Sequence, residues 1–85
     1  MQTYYTYIIY SERNKFHSLG VTADLKKRWE ILKKNNEKIK LVYWEVFDRS
    51  NEATARENIL KQFPAEILNQ LVKENNPTLA DLSNL

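Results

Sequence analysis

The chain has 85 residues and a single glycine, Gly20, which falls inside an apolar run rather than in a turn. A glycine there weakens a strand, so it marks a bulge or a close approach of something to the backbone. Upstream, Tyr5-Thr6-Tyr7-Ile8-Ile9-Tyr10 has the β-branched and aromatic content of a strand. The polar stretch Ser11-Glu12-Arg13-Asn14 follows, and Lys15 to Thr22 is the expected partner strand. Thr22 can cap a helix whose first turn carries Asp24, with Arg28 one turn on. A hairpin feeding a helix is thus the expected nucleus of the fold.

In the first strand Tyr5, Tyr7 and Ile9 point one way and Tyr4, Thr6, Ile8 and Tyr10 the other. Both faces are apolar or aromatic, which predicts a central strand covered on both sides. Taken alone, Tyr7 is a core tyrosine with a hydrogen-bonded hydroxyl. The helix from about Ala23 to Asn35 puts Leu25, Trp29 and Leu32 on one stripe and Arg28 at its edge. Lys26, Lys27, Lys33 and Lys34 then lie elsewhere, free for solvent or for phosphate. Arg28 is either an amphipathic side chain along the core edge or a guanidinium aimed at a phosphate.

Beyond the polar linker Asn35-Asn36-Glu37-Lys38, Lys40 to Phe47 reads as a third strand, and Ser50 as the cap of a helix from about Asn51 to Gln62. Ala53, Glu57 and Leu60 share a face of that helix. A carboxylate on an apolar stripe needs a cation. As a structural ion pair, Glu57 would meet Arg28 or Arg56. Phe63-Pro64 breaks the chain, and Ala65 to Asn75 makes a third helix with Ile67, Leu68, Leu71 and Val72 inward. Asn76-Pro77 ends it, and the tail with Leu79, Leu82 and Leu85 is expected to pack back as a cap. The whole, residues 1–85, is expected to be one α+β domain: a small, mainly antiparallel three-stranded sheet flanked by helices.

The chain has no cysteine, which excludes disulfides and thiolate metal sites. No apolar run approaches the length of a membrane span, and the expected location is cytoplasmic. Charge is unevenly spread. Residues 13–40 carry nine Lys/Arg against Asp24, Glu30 and Glu37, a net of +6, whereas residues 41–85 carry four against seven acids, a net of −3. The asymmetry predicts a basic face for an anionic partner such as nucleic acid; a solvated helix face is the plainer account.

The chain resembles the GIY-YIG nuclease superfamily, specifically its small stand-alone bacterial members. The first signature corresponds to Tyr5-Thr6-Tyr7 and the second to Ser18-Leu19-Gly20, followed by Val21-Thr22 and Asp24-Leu25-x-x-Arg28. Further likeness runs through Leu41 to Glu45, Ala55-Arg56-Glu57-x-x-Leu60-Lys61 and Asn76-Pro77-x-Leu79-x-Asp81-Leu82. The resemblance implies a GIY-YIG endonuclease-like fold and hydrolysis of DNA phosphodiesters with Mg²⁺ or Mn²⁺. Under it Tyr7 helps activate water, Arg28 steadies charge on the phosphorane-like transition state, and Glu57 binds the metal. Gly20, Lys26, Lys27, Lys33 and Lys34 would face the nucleic acid.

Two positions depart from that pattern: Ser18 stands where the second signature opens with tyrosine, and Leu32 where His or Tyr follows the arginine by one turn. Leucine neither accepts a proton nor orients water, and serine is shorter than a phenol by a ring. His17 does not replace the missing imidazole, because adjacent strand residues face opposite sides. The basic cluster after the second helix is also thinned, to Pro64-Ala65-Glu66. Weak or lost cleavage is therefore expected. The alternative is a catalytically inactive module that binds nucleic acid or protein on the same fold.

Overall fold

A computed structural model of the chain describes residues 2–35 and 38–83. Three strands, β1 (Tyr4–Ser11), β2 (Phe16–Thr22) and β3 (Ile39–Phe47), and three helices, α1 (Leu25–Asn35), α2 (Ser50–Lys61) and α3 (Ala65–Asn75), follow in the order β1-β2-α1-β3-α2-α3. The sheet is antiparallel throughout, with strand order β2-β1-β3. The expected α+β class and the central position of the first strand both hold. Among the described residues, no helix is long and apolar enough to cross a membrane.

The alternation within β1 divides the core in two. Tyr7 and Ile9 pack with Leu25 and Trp29 of α1 and with Ile39 and Leu41 of β3, and Leu32 lies partly buried against them. On the other face Ile8 packs with Val42, Leu60 of α2, and Leu68 and Val72 of α3. Thr6, fully buried on that second face, donates its hydroxyl proton to the Ala53 carbonyl at 2.7 Å and so ties α2 to the central strand. β3 serves both layers through a bulge. Its register against β1 shifts between Ile8 and Ile9, so Leu41 and Val42 go to opposite faces while Tyr43 stays on the α2 side.

Several local expectations are corrected. The turn occupies Glu12–Lys15 rather than Ser11–Asn14: Lys15 takes a left-handed φ of 56° and its N–H bonds the Ser11 carbonyl at 2.7 Å, so it cannot begin the strand. Asp24, not Thr22, caps α1, its carboxylate accepting the Lys27 N–H at 3.0 Å while Thr22 accepts the N–H of Asp24 at 3.1 Å. A carboxylate reaches the N3 amide and complements the helix dipole as well. Ser50 is the first residue of α2 and not its cap; Arg49 holds that position without a side-chain bond. Ile67, expected inward, is 44% exposed, because the inner stripe of α3 is only wide enough for Leu68, Val72 and, in part, Leu71.

The tail packs back as expected. Asn76, 5% exposed, donates to the carbonyls of Val42 (3.2 Å) and Ala80 (2.8 Å) and accepts the Ala80 N–H (3.0 Å). Leu79 joins the second core layer, and the Leu82 N–H bonds the Leu41 carbonyl at 2.7 Å, covering the outer edge of β3. Leu85, and Asn36 and Glu37 of the linker, lie outside the described residues.

Candidate functional site

The site begins with the register of the hairpin. Tyr7 stands directly opposite Gly20, so their side-chain positions share one face of the sheet. A Cβ built on Gly20 would lie 2.5 Å from Tyr7 Cζ and 3.0 Å from Cε2. The close approach that the glycine marks is thus made by the phenol, which lies over β2 toward the free edge of the sheet. No bulge interrupts the β1–β2 pairing.

α1 delivers the second group. The Asp24 cap and the burial of Leu25 and Trp29 fix its rotation, which leaves Arg28 exposed at the edge of the apolar stripe. Its guanidinium reaches back, with Nε donating to Tyr7 Oη at 3.3 Å. A guanidinium that spends Nε on a neighbour still has its two terminal nitrogens, whose N–H groups suit phosphate oxygens. Ser18, two residues before Gly20 on the same face and opposite Ile9, is exposed beside this pair. Leu32 fills volume against the Tyr7 cluster.

Glu57 comes from the other layer. It lies on α2 between the fully buried Ala53 and Leu60, its side chain 15% exposed, and its carboxylate pairs with Lys61 one turn on at 3.4 Å. Neither Arg28 nor Arg56 is its partner. Arg56 grips Glu45 of β3 through two bonds, Nε to Oε1 at 2.8 Å and a terminal nitrogen to Oε2 at 3.1 Å, and Tyr43 donates to the same carboxylate at 2.5 Å. The structure therefore joins Tyr7, Gly20 and Arg28, and among the described residues no hydrogen bond or ion pair links Glu57 to them.

Among the described residues no three His, Cys, Asp or Glu side chains come together. A divalent cation at Glu57 would have one protein carboxylate, drawing its other oxygens from phosphate and water. That donor set fits Mg²⁺, which keeps several waters and is commonly held through one or two carboxylates with substrate phosphates.

The basic helix is less uniform than its sequence. Lys26, Lys27 and Lys34 are exposed. Lys33, expected to be free, is half-buried: its ammonium donates to the Ile39 carbonyl at 3.1 Å and lies 5.6 Å from the Trp29 ring centroid. Lys40 is also engaged, by Glu12 at 2.8 Å. His17 faces away from Tyr7, stacked at a tilt against Tyr10 with ring centroids 5.2 Å apart.

Sequence reasoning missed the Tyr43–Glu45–Arg56 network, for which no local pattern exists across a separation of 11 positions. It could have found Lys61, since a glutamate four residues before a lysine on a helix is a readable pair. A family model described as the GIY-YIG catalytic domain matches residues 3–64, a span that takes in Tyr7, Ser18, Gly20, Arg28, Leu32 and Glu57. No curated protein and no solved structure matches the chain.

Proposed function

The chain belongs to the GIY-YIG family, and from that premise we propose that it is a divalent-metal-dependent DNA endonuclease domain whose cleavage is slowed by Ser18 and Leu32. The Arg28–Tyr7 contact over Gly20 carries the proposal. It puts a phenol and a guanidinium together at the sheet edge, beside the exposed lysines of α1. Hydrolysis adds a water oxygen to phosphorus and breaks the bond to a sugar oxygen, leaving one phosphate monoester and one hydroxyl. In that step Arg28 holds non-bridging oxygens with its terminal nitrogens while charge builds on them. Tyr7, oriented by Arg28, directs its hydroxyl to the attacking water and takes part in moving its proton. Lys26, Lys27 and Lys34 hold flanking phosphates without reading sequence. Glu57 would hold Mg²⁺ or Mn²⁺, which when bound supplies Lewis-acid polarisation of a phosphate oxygen. The partner is DNA, and the domain is placed in the cytoplasm.

At Ser18 no side chain reaches the phosphate as a phenol would, and at Leu32 no imidazole orients the water. One such group is worth about two to four orders of magnitude in rate. A second reading, a non-cleaving nucleic-acid-binding domain, draws support from the packing of Leu32 into the core layer and from the Lys61 grip on Glu57. Plasmid nicking with Mg²⁺ or Mn²⁺ separates the two. Slow nicking that disappears in Glu57→Ala and Arg28→Ala is expected for the wild type. Ser18→Tyr combined with Leu32→His should raise the rate at least about tenfold, more than either change alone, since groups acting on one phosphate are non-additive. A thermal melt accompanies the assay, because a polar ring in place of Leu32 costs packing. A folded double variant that binds DNA and nicks no faster than Glu57→Ala would leave the binding reading standing.

A further inference from the structure

On α2 the Glu57 carboxylate lies between the fully buried Ala53 and Leu60, with 15% of its side chain exposed. A carboxylate with so little water around it needs a counter-ion whether or not a metal is bound. In the metal-free protein that counter-ion is Lys61, whose ammonium stands 3.4 Å from Oε2. Lys61 is the last residue of α2, and its side chain is 54% exposed. The two partners therefore differ in freedom. Helix and packing fix the carboxylate, whereas the ammonium reaches it from solvent on a flexible stem.

The residue next to Glu57 supplies the contrast. Arg56 clamps Glu45 with two bonds, at 2.8 and 3.1 Å. Lys40 also meets Glu12 closely, at 2.8 Å. The Lys61–Glu57 contact is longer than any of these and lies beyond the usual hydrogen-bond range. An arginine fork locks onto a carboxylate, while a lysine attracts it as a point charge and lets go easily. Arginine thus makes the fixed link between α2 and β3, and lysine makes the link that can open.

We propose that Lys61 is an exchangeable counter-ion: it neutralises Glu57 in the metal-free protein and competes with the divalent cation for the carboxylate. The inference rests on Glu57 as the metal ligand, as read above. An ammonium and a divalent ion repel at such range, so Lys61 turns out to solvent when the site is loaded. The contact is autoinhibitory but weak, because an i,i+4 pair with one exposed partner contributes little. It raises the metal concentration needed to load the site. Below that concentration it leaves no bare carboxylate facing the phosphates of DNA.

Calorimetric titration with Mn²⁺ alone, without DNA, tests the competition. Lys61→Met keeps the apolar stem and removes the charge. It should lower the Kd for Mn²⁺ about three- to tenfold, with an unchanged melt. Lys61→Arg, which keeps the charge, should show no such gain. Lys73→Met removes an equal charge from an exposed position on α3 and should change Kd by less than about twofold. A gain in either control as large as that of Lys61→Met would overturn the proposal. Side-chain NMR adds a readout independent of affinity. Mg²⁺ should move the Lys61 Cε and Hε signals toward the positions they take in metal-free Glu57→Gln; signals that stay in place while the Glu57 signals saturate would contradict the exchange. Glu57→Gln also separates this inference from the reading beneath it. If no Mn²⁺ binding is lost in Glu57→Gln, the metal-ligand reading fails and the competition with it. Binding that Glu57→Gln abolishes but Lys61→Met leaves unchanged, or weakens, refutes the competition alone.

Discussion

At Gly20 a methyl group would occupy the volume of the Tyr7 ring, so the glycine is required by its neighbour and not by its backbone conformation. Gly20→Ala should destabilise the fold by about 1–3 kcal/mol, the usual cost of overpacking, and displace the phenol from Arg28. Urea unfolding checks this through the midpoint at constant slope. In a Tyr7→Leu background the penalty should largely vanish, because the two positions share one volume. Tyr43 offers a second test. Burial and the Glu45 carboxylate push its phenol from 10.0 up to about 12. The folded state thus holds the proton more tightly than the unfolded state; this stability is complete below pH 10 and is lost as pH rises toward about 12. Glu45 runs the other way. Burial opposes its ionisation, but the bonds from Arg56 and Tyr43 prevail and hold its carboxyl below the ordinary 4.5, so its contribution is present above that value and lost in acid. Tyr43→Phe should remove the alkaline part of the wild-type stability profile. Chemical denaturation at stepped pH, wild type beside variant, would show it; parallel alkaline limbs would contradict it.

Among the elements, the tail shows how one side chain can secure an edge. Asn76 makes three bonds to Val42 and Ala80, and Asp81 accepts the Leu41 N–H at 3.2 Å where the bulge turns β3. Asn76→Ala would leave buried backbone groups unpaired and should cost about 1–3 kcal/mol. Hydrogen exchange gives the sharper check. Amides of Leu41, Ala80 and Leu82 should lose protection while the β1–β2 ladder keeps it. Equal loss across the sheet would mean that the tail is not a separate unit of stability. α1 carries a different lesson. Its apolar stripe was legible from Leu25, Trp29 and Leu32, yet the fate of Lys33 depended on where the Ile39 carbonyl and the Trp29 ring came to rest.

For the whole molecule, the segment from Arg13 to Lys40 concentrates positive charge, but the folded chain withholds part of it. Lys33 is engaged by the Ile39 carbonyl and Lys40 by Glu12. If DNA lies along α1, Lys26→Ala and Lys34→Ala should each flatten the dependence of log affinity on log salt, by roughly 0.9 per duplex phosphate contact removed. Lys33→Ala should leave that slope nearly unchanged and lower stability instead, since it removes a bond and a cation–π contact. Fluorescence anisotropy over a salt series, paired with a melt, measures both. A Lys33→Ala slope change as large as that of Lys26→Ala would show that Lys33 leaves Ile39 to meet the phosphate.

By itself the sequence determined what depends on period and on local chemistry. Alternation from Tyr5 to Tyr10 sufficed for a central strand, the lone Gly20 for a close approach, and the stripes of α1 and α2 for two helices on a sheet, with Ala53, Glu57 and Leu60 turned inward. These follow from side-chain periodicity, which any chain carries along its length. Tertiary structure decided what depends on distance between elements. The strand limits read from the sequence, Tyr10 and Lys15, would have set Tyr7 opposite Ser18; the left-handed Lys15 moved the turn and set it opposite Gly20. Val42 became a bulge, Glu57 found Lys61, and Arg56 found Glu45. The choice between such partners turns on ångström differences in packing, which no one-dimensional pattern encodes. Arg28 shows both parts: its spacing puts it at the edge of a stripe, and only the packed hairpin supplies the Tyr7 hydroxyl that it meets.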